Sequence, residues 1–268
     1  MAEGQTLNAA ALQAMRERGQ PIVALTCYDA SFARLLEDSG VDVLLVGDSL
    51  GMVVQGGGST LAVSLADMAY HTRCVSAAAR RALVLADLPF GSYQATPAAA
   101  FEAAAALIGA GAQMIKLEGG AVMAPTVAFL SERGVPVCGH IGLTPQSVHQ
   151  LGGYVVQGRD TASAARLVDD ARVLEQAGAR LLVVETVPAS VGRAVREAVK
   201  IPVIGCGAGP ECDGQVLVLH DMLGITPPPL PRFVRDFAAG GGGIAAAIQR
   251  YVAAVRSRQF PLAEECYS

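Results

Sequence analysis

Short apolar runs alternate with helical segments along nearly the whole chain. The runs have the length and composition of buried strands, and they cover residues 22–28, 41–47, 83–88, 113–117, 136–141, 180–187, 202–205 and 216–220. The segments with helical spacing between and after them are residues 30–38, 64–81, 96–110, 122–133, 160–177, 190–199 and 244–258, whereas residues 50–63 are predicted to form a long loop. Apolar strands that alternate with helices form parallel sheets, so we predict an α/β fold.

The number of strand–helix units favours a closed barrel. About eight units in 268 residues fit a (β/α)8 TIM barrel better than an open doubly wound sheet. No GxGxxG motif follows the first strand, and the glycines of residues 207–209 follow a late strand without the rest of a phosphate-binding pattern. The alternative is a flavodoxin-like sheet. Residues 5–18 predict a short N-terminal helix, and since no composition break marks a linker, we predict one domain over residues 1–268.

Charge and hydropathy exclude several classes of function. A net charge of −4 provides no basic surface for nucleic acid or an anionic membrane. No apolar run reaches the ~18 residues of a membrane span. The six cysteines include no CxxC pair, which argues against a zinc site and a disulfide framework. We therefore predict a cytoplasmic protein that binds neither nucleic acid nor a membrane.

Five consecutive predicted strands, the second to the sixth, carry or end in functional side chains. These side chains are Asp48, Ser49, Asp87, Lys116, Glu118, His140 and Glu185. Taken singly, each has a structural explanation: an aspartate can cap a helix, Lys116 and Glu118 can pair on one strand face, and a histidine can be part of a core. In a barrel, however, the carboxyl ends of all strands meet at the face that carries active sites. The recurrence over five strands therefore predicts a functional site.

The side chains predicted at this face suit one kind of chemistry. Two aspartates and a glutamate, without thiolates or paired histidines, form an oxygen ligand set of the kind that Mg²⁺ prefers. A cation there would polarise a carbonyl group and stabilise an enolate formed beside it. Lys116 would balance the charge of an anionic substrate, and Glu185, which follows an apolar run, would be a partly desolvated general acid or base. The residues predict metal-assisted proton abstraction next to a carbonyl.

Several motifs together resemble one enzyme family over residues 20–260. The motifs are LLVGDSLGMVVQG, VLADLPFGSY, MIKLEGG, VPVCGHIGLTPQSV, LLVVETVP, IPVIGCGAG and DGQVLVLHD, and the family is the ketopantoate hydroxymethyltransferases. The resemblance implies a (β/α)8 barrel of the phosphoenolpyruvate/pyruvate superfamily. It also implies transfer of a hydroxymethyl group from 5,10-methylenetetrahydrofolate to 3-methyl-2-oxobutanoate, giving 2-dehydropantoate on the route to pantothenate and coenzyme A.

The resemblance also implies roles for individual residues. Asp48, Asp87 and Glu118 match Mg²⁺ ligands, and Glu185 matches the proton acceptor. The positions that match substrate contacts are Asp48, Ser49, Asp87, Lys116 and His140. Family members are typically multi-subunit rings, so a homo-oligomer, a decamer, is implied. Residues 57–62 (GGSTLA) and 227–231 (PPPLP) depart from the pattern expected of the family.

Two other functions remain open on the sequence alone. Cys138, on the same predicted strand face as His140, invites comparison with carbon–carbon lyases of the isocitrate lyase type, in which it would act as an acid. An inert buried thiol is the other interpretation of this residue. A barrel that binds a metabolite as a non-catalytic oligomer is the second alternative.

Overall fold

The computed structural model describes residues 6–268. The first residue of the predicted N-terminal helix, and residues 1–5 of the predicted domain, lie outside this range. No helix in the described part of the chain has the length and hydropathy needed to cross a membrane.

Between residues 6 and 268, eight parallel strands close into a barrel and follow one another in chain order. They are β1 (Ile22–Thr26), β2 (Val43–Val46), β3 (Leu83–Asp87), β4 (Met114–Glu118), β5 (Val137–Gly142), β6 (Leu181–Glu185), β7 (Val203–Cys206) and β8 (Gly214–Leu217). Closure is made by β1 and β8, which pair with Ile22 opposite Gly214. The predicted barrel is confirmed, and the open flavodoxin-like sheet is wrong.

Between residues 6 and 268, helices follow every strand except β7, one helix precedes β1, and together they cover the barrel. They are α1 (Ala9–Glu17), α2 (Ala30–Asp38), α3 (Leu50–Val53), α4 (Leu65–Ser76), α5 (Pro97–Gly109), α6 (Ala124–Glu132), α7 (Val148–Leu151), α8 (Thr161–Gln176), α9 (Ala189–Ala198), α10 (Leu219–Met222) and α11 (Gly243–Arg256). Short 3-10 segments occupy Ala121–Met123, Pro145–Ser147 and Ala263–Glu265. Asp29 caps α2 by accepting the N–H groups of Ser31 and Phe32, as its side-chain chemistry predicts.

Three predicted elements need correction. The last strand was expected at residues 216–220, but it ends at Leu217, and His220 belongs to the short helix α10. The predicted loop of residues 50–63 begins with α3. The helix expected over residues 64–81 ends at Ser76, where α4 gives way to a turn that leads into β3.

Because side chains alternate along each strand, one set points into the barrel and the other points towards the helices. Inside the barrel, an apolar cluster contains Val43, Leu45, Leu83, Leu85 and Met114. The side chains of α1 join this cluster and close the amino-terminal end of the barrel, as shown by the buried Leu12 and Met15. The alternate strand residues pack outward against the helices in a second cluster. Polar side chains are thereby confined to the carboxyl end of the interior, where the predicted site lies.

The segment that departs from the family's pattern after α3 is folded against that helix. Gly57 donates its N–H to the carbonyl of Gly51 at 2.7 Å, and Thr60 is buried. A side chain at Gly51 would collide with Val63, so this glycine permits the close packing of the segment. The segment is therefore ordered beside the strand end that carries Asp48.

Candidate active site

The structure brings the predicted residues to one end of the barrel. Asp48 and Ser49 follow β2 after Gly47, Asp87 ends β3, Lys116 and Glu118 lie in β4, His140 lies in β5 and Glu185 ends β6. In β3 to β6 the functional side chain continues the inward-facing series of apolar residues, as in Leu83, Leu85 and Asp87. All are buried except Ser49 and Glu185, which are partly exposed. The predicted convergence is confirmed.

Gly47 allows the Ser49 hydroxyl and the Asp87 carboxylate to lie close to the main chain after β2. A Cβ atom at Gly47 would lie 2.8 Å from the Ser49 hydroxyl oxygen and 3.6 Å from Asp87 Oδ2. Ser49 precedes α3 but does not cap it, and its hydroxyl instead lies 2.9 Å from the hydroxyl of Tyr28. The hydroxyl of Ser49 is thereby held at the site. Tyr28 was not predicted as a site residue, because a tyrosine at a strand end is normally part of the core.

Asp87 and Lys116 form the central ion pair of the site. Lys116 Nζ lies 2.9 Å from Asp87 Oδ1, and Asp87 Oδ2 accepts the N–H of Asp48 at 3.1 Å. Burial opposes the charge on Lys116, but Asp87, Glu118 and Asp48 outweigh it and raise the pKa of this lysine. The ammonium group is therefore charged at neutral pH and can attract an anionic ligand.

His140 links the ion pair to the last carboxylate. Its Nδ1 lies 3.3 Å from Lys116 Nζ and 3.5 Å from Glu118 Oε1, and its Nε2 lies 3.3 Å from Glu185 Oε2. Burial and Lys116 oppose its protonation, but Glu118 and Glu185 outweigh them and raise the pKa of His140 to about 9. Nδ1 can accept a hydrogen bond from the Lys116 ammonium only when Nδ1 carries no proton. When the ring is protonated, the Nδ1–H group donates to Glu118 Oε1 instead.

The carboxylates carry more negative charge than their surroundings balance. Burial, followed by the charges of Asp87 and Glu118, raises the pKa of Asp48 to about 8. Burial also raises the pKa of Asp87, against the opposing effect of Lys116. With every group ionised, the four carboxylates of Asp48, Asp87, Glu118 and Glu185 face two cations, and a charge of −2 is left over. A divalent cation would neutralise this charge.

The donor set fits Mg²⁺ with few direct protein ligands. Among residues 6–268, no three Asp, Glu, His or Cys side chains are arranged to hold a metal ion by themselves. Mg²⁺, however, usually binds one or two carboxylates and keeps waters or substrate oxygens as its other ligands. Asp48 and Asp87 match this requirement, and Glu118, whose Oε2 accepts the N–H of Gln146 at 2.9 Å, would act through a water molecule.

Gln146 and Tyr93 belong to the site but were not predicted from the sequence. Gln146 Nε2 donates to Asp48 Oδ2 at 2.9 Å, and the Tyr93 hydroxyl donates to Gln146 Oε1 at 2.7 Å. Polar residues beside prolines are usually exposed, which is why Gln146 was missed. One signal could have found it: residues 142–159 separate a strand from its helix at the barrel face where active sites lie.

Cys138 lies below His140 and is chemically shielded. It is fully buried in the interior apolar cluster, and burial raises the pKa of its thiol to about 12. We expect Cys138→Ala to keep turnover within about threefold, because the thiol is fully buried and stays protonated. Peptide mapping after iodoacetamide treatment of the native protein should find Cys138 unmodified. Loss of activity in this variant, or labelling of the native thiol, would restore the lyase interpretation.

Comparisons with known proteins agree on one family. The family model described as ketopantoate hydroxymethyltransferase matches residues 6–263. The chain is 61% identical over 256 residues to the 3-methyl-2-oxobutanoate hydroxymethyltransferase of Thiobacillus denitrificans, covering 96% of this chain and 97% of the relative. It is also 61% identical over 261 residues to the enzyme of the same name from Methylobacillus flagellatus, covering 97% and 100%. These relatives are transferases, which argues against the non-catalytic alternative.

A more distant likeness concerns the fold. The crystal structure of 2,3-dimethylmalate lyase, a PEP mutase/isocitrate lyase superfamily member, superposes with a TM-score of 0.57 and 18% identity, covering 98% of this chain and 93% of the lyase. This likeness shows that the two proteins share the barrel fold. With the family model and the near-full-length relatives, the chain belongs to the ketopantoate hydroxymethyltransferase family.

Proposed function

We propose that the protein transfers a hydroxymethyl group from 5,10-methylenetetrahydrofolate to 3-methyl-2-oxobutanoate, giving 2-dehydropantoate for pantothenate and coenzyme A synthesis. The observation that carries this proposal is the pairing of Asp48 with Asp87 next to the charged Lys116, with the more exposed Glu185 on the far side of His140. Such a site can hold a 2-oxo acid by its oxygens and remove a proton from the neighbouring carbon.

Each side chain has a role in this scheme. Asp48 and Asp87 would hold Mg²⁺, which when bound would polarise the 2-oxo group and offset the negative charge that develops on its oxygen. The Lys116 ammonium, the Ser49 hydroxyl and the His140 ring would bind and orient the oxygens of the substrate. Glu185 would take the proton from C3 of the substrate, since it lies at the edge of the buried group.

The bond changes balance when water takes part. The C3–H bond breaks and its proton passes to the Glu185 carboxylate, while the electron pair remains in the substrate as an enolate. A new C–C bond then joins C3 to the one-carbon unit. This unit leaves both folate nitrogens, and water supplies the oxygen of the new hydroxyl group. One nitrogen gains the proton that Glu185 took from C3 and the other gains a proton from that water, so tetrahydrofolate is released.

The rim of the site offers a place for a large aromatic co-substrate. Met52, Phe90 and Tyr154 are exposed hydrophobic side chains on segments that follow the carboxyl ends of β2, β3 and β5. The Tyr154 hydroxyl lies 3.7 Å from the sulfur of Met52, so two of these segments meet. An apolar rim of this kind supports binding of the flat pterin ring of a folate. The homo-oligomer, a decamer by family resemblance, stays a prediction.

Proton exchange at C3 of 3-methyl-2-oxobutanoate tests this proposal without the folate. In deuterated water we expect exchange of the C3 proton to be about 100-fold or more faster with Mg²⁺ than with EDTA. A bound cation stabilises the negative charge that develops on the substrate in the transition state by several kcal/mol. Proton NMR follows the loss of the C3 signal. In parallel, Mg²⁺ at about 100 times its dissociation constant should stabilise the fold by about 2.7 kcal/mol. Exchange at the uncatalysed rate with Mg²⁺ present would contradict the proposal.

A further inference from the structure

We infer that Gln146 is a positioning residue that fixes the carboxylates of Asp48 and Glu118, which come from different strands, in the directions needed to bind a divalent cation. This inference rests on the proposed function, because it assigns to Gln146 the orientation of groups proposed to bind Mg²⁺ directly or through water. Its own support is the set of contacts that this glutamine makes.

The side-chain amide of Gln146 is fully satisfied inside the protein. Its Nε2 donates to Asp48 Oδ2 and to the carbonyl of Leu88, both at 2.9 Å. Its Oε1 accepts from the Tyr93 hydroxyl at 2.7 Å and from Gln94 Nε2 at 3.1 Å. An amide has two donors and two acceptor sites, so all four positions are used. The residue is 4% exposed, and water therefore competes little for these bonds.

The main chain of the same residue holds the second carboxylate. The N–H of Gln146 donates to Glu118 Oε2 at 2.9 Å. The hydroxyl of Tyr93, which bonds the amide, also accepts the N–H of Glu118 at 3.0 Å. One residue thus occupies a single oxygen of each carboxylate and leaves the other oxygen of each for a further partner. For Glu118 that other oxygen faces His140 at 3.5 Å.

The surroundings permit only one orientation of the amide. If it were reversed, Oε1 would face two acceptors, the Asp48 carboxylate and the Leu88 carbonyl. At the other end, the Tyr93 hydroxyl would face Nε2 and would lose Oε1 as its acceptor. The Leu88 carbonyl, which can only accept, therefore directs the donor end of Gln146 towards Asp48. A hydrogen bond to a carboxylate is about twice as strong as a neutral one, so this contact restrains Asp48 firmly.

A second buried glutamine, Gln215, provides a control that distinguishes loss of carboxylate positioning from loss of stability. Gln215 in β8 is 3% exposed, and its Nε2 donates to the carbonyl of Gly209 at 3.0 Å. It makes a hydrogen bond of the same kind to the main chain, but its amide is bonded to none of the site carboxylates described above. Gln215→Met therefore removes an amide that is about as buried as that of Gln146, and it leaves the proposed cation site unchanged.

The test compares Gln146→Met with Gln215→Met in the full-length protein. Isothermal titration with Mg²⁺ alone gives the dissociation constant, and C3 exchange gives kcat and KM for 3-methyl-2-oxobutanoate. Replacing residues that orient metal ligands costs about 10–100-fold in metal affinity or activity. We expect Gln146→Met to raise the Mg²⁺ dissociation constant by at least about tenfold and to lower kcat similarly. Gln215→Met should stay within about twofold of wild type, even where its melting temperature falls.

Each outcome decides the inference. Wild-type Mg²⁺ affinity and kcat in Gln146→Met, or equal losses in both variants, would overturn it. If Gln146→Met fails to fold, Gln146→Glu keeps the shape of the residue but, when ionised, cannot donate to Asp48. A folded Gln146→Glu protein with wild-type Mg²⁺ affinity would likewise overturn it, whereas weakened binding supports it. A wild-type protein that neither binds Mg²⁺ nor exchanges the C3 proton overturns the proposed function instead.

Discussion

Replacing Asp48 with asparagine should abolish Mg²⁺-dependent proton exchange and, at the same time, make the metal-free protein more stable. Asparagine keeps the shape of the residue but removes one negative charge from the carboxylate cluster. Loss of a direct metal ligand is worth several kcal/mol in the transition state, so we expect exchange to fall by about 100-fold or more, the same factor that we expect when EDTA removes the metal. NMR detection of C3 exchange measures this loss, and near-normal rates would refute the metal assignment.

The gain in stability follows from the charge that Asp48 must carry without a metal. Burial and its acidic neighbours raise the pKa of Asp48 to about 8 in the folded protein, from 3.8. Between these two values the native state binds more protons than the unfolded state, so the stability of the metal-free protein falls as the pH rises. Asparagine removes this penalty. The difference in melting temperature between Asp48→Asn and wild type in EDTA should therefore be small near pH 4 and largest above pH 8.

Asp87→Asn is the matched comparison, because it removes the neighbouring carboxylate. It should also lose Mg²⁺ binding and exchange. The metal-free Asp87→Asn protein should be less stable than Asp48→Asn, because the substitution also removes the partner that lies 2.9 Å from the buried Lys116 and that opposes the raised pKa of Asp87. Breaking one side of a buried ion pair costs about 3–5 kcal/mol. Calorimetry in EDTA measures the melting temperatures of both variants. A melting temperature of Asp48→Asn below that of wild type at pH 8 would contradict the charge argument.

The fold could be predicted where local chemistry decides it. Apolar runs of strand length alternating with segments of helical spacing were sufficient to predict the (β/α)8 barrel. The prediction failed at β8, which was expected to include His220. The strand in fact begins at Gly214 and continues through Gln215, and these residues pair with β1 when the barrel closes. Glycine and glutamine have weak strand preference, so only closure of the barrel places them there.

The site was predictable only to the extent that each side chain belongs to a strand. The period of two placed Lys116 and Glu118 on one face, and this face points into the barrel. Gln146 lies on no strand, and its burial follows from the need of buried carboxylates for hydrogen-bond donors, which no local pattern encodes. The apolar enclosure expected for Glu185 is only partly present, since this side chain is 18% exposed and contacts His140.

Replacing Glu185 with glutamine should remove C3 proton exchange while leaving the cation site intact. Glutamine keeps the size of the side chain and an oxygen for the His140 contact at 3.3 Å, but it cannot take up a proton at neutral pH. Loss of a general base costs about 10²–10⁴-fold, and exchange in deuterated water should fall by that factor. The Mg²⁺ dissociation constant serves as the control and should remain that of wild type, since Glu185 is not among the proposed ligands.

Solvent access distinguishes Glu185 from the other carboxylates as the base. Exchange with deuterated water requires that the base pass its proton to solvent and collect a deuteron between turnovers. The Glu185 side chain is 18% exposed, whereas those of Asp87 and Glu118 are 4% and 3% exposed. Glu118 is in addition held by the N–H of Gln146. Exchange that persists in Glu185→Gln would assign the base to another group, and His140, which already contacts Glu185, would be the next to replace.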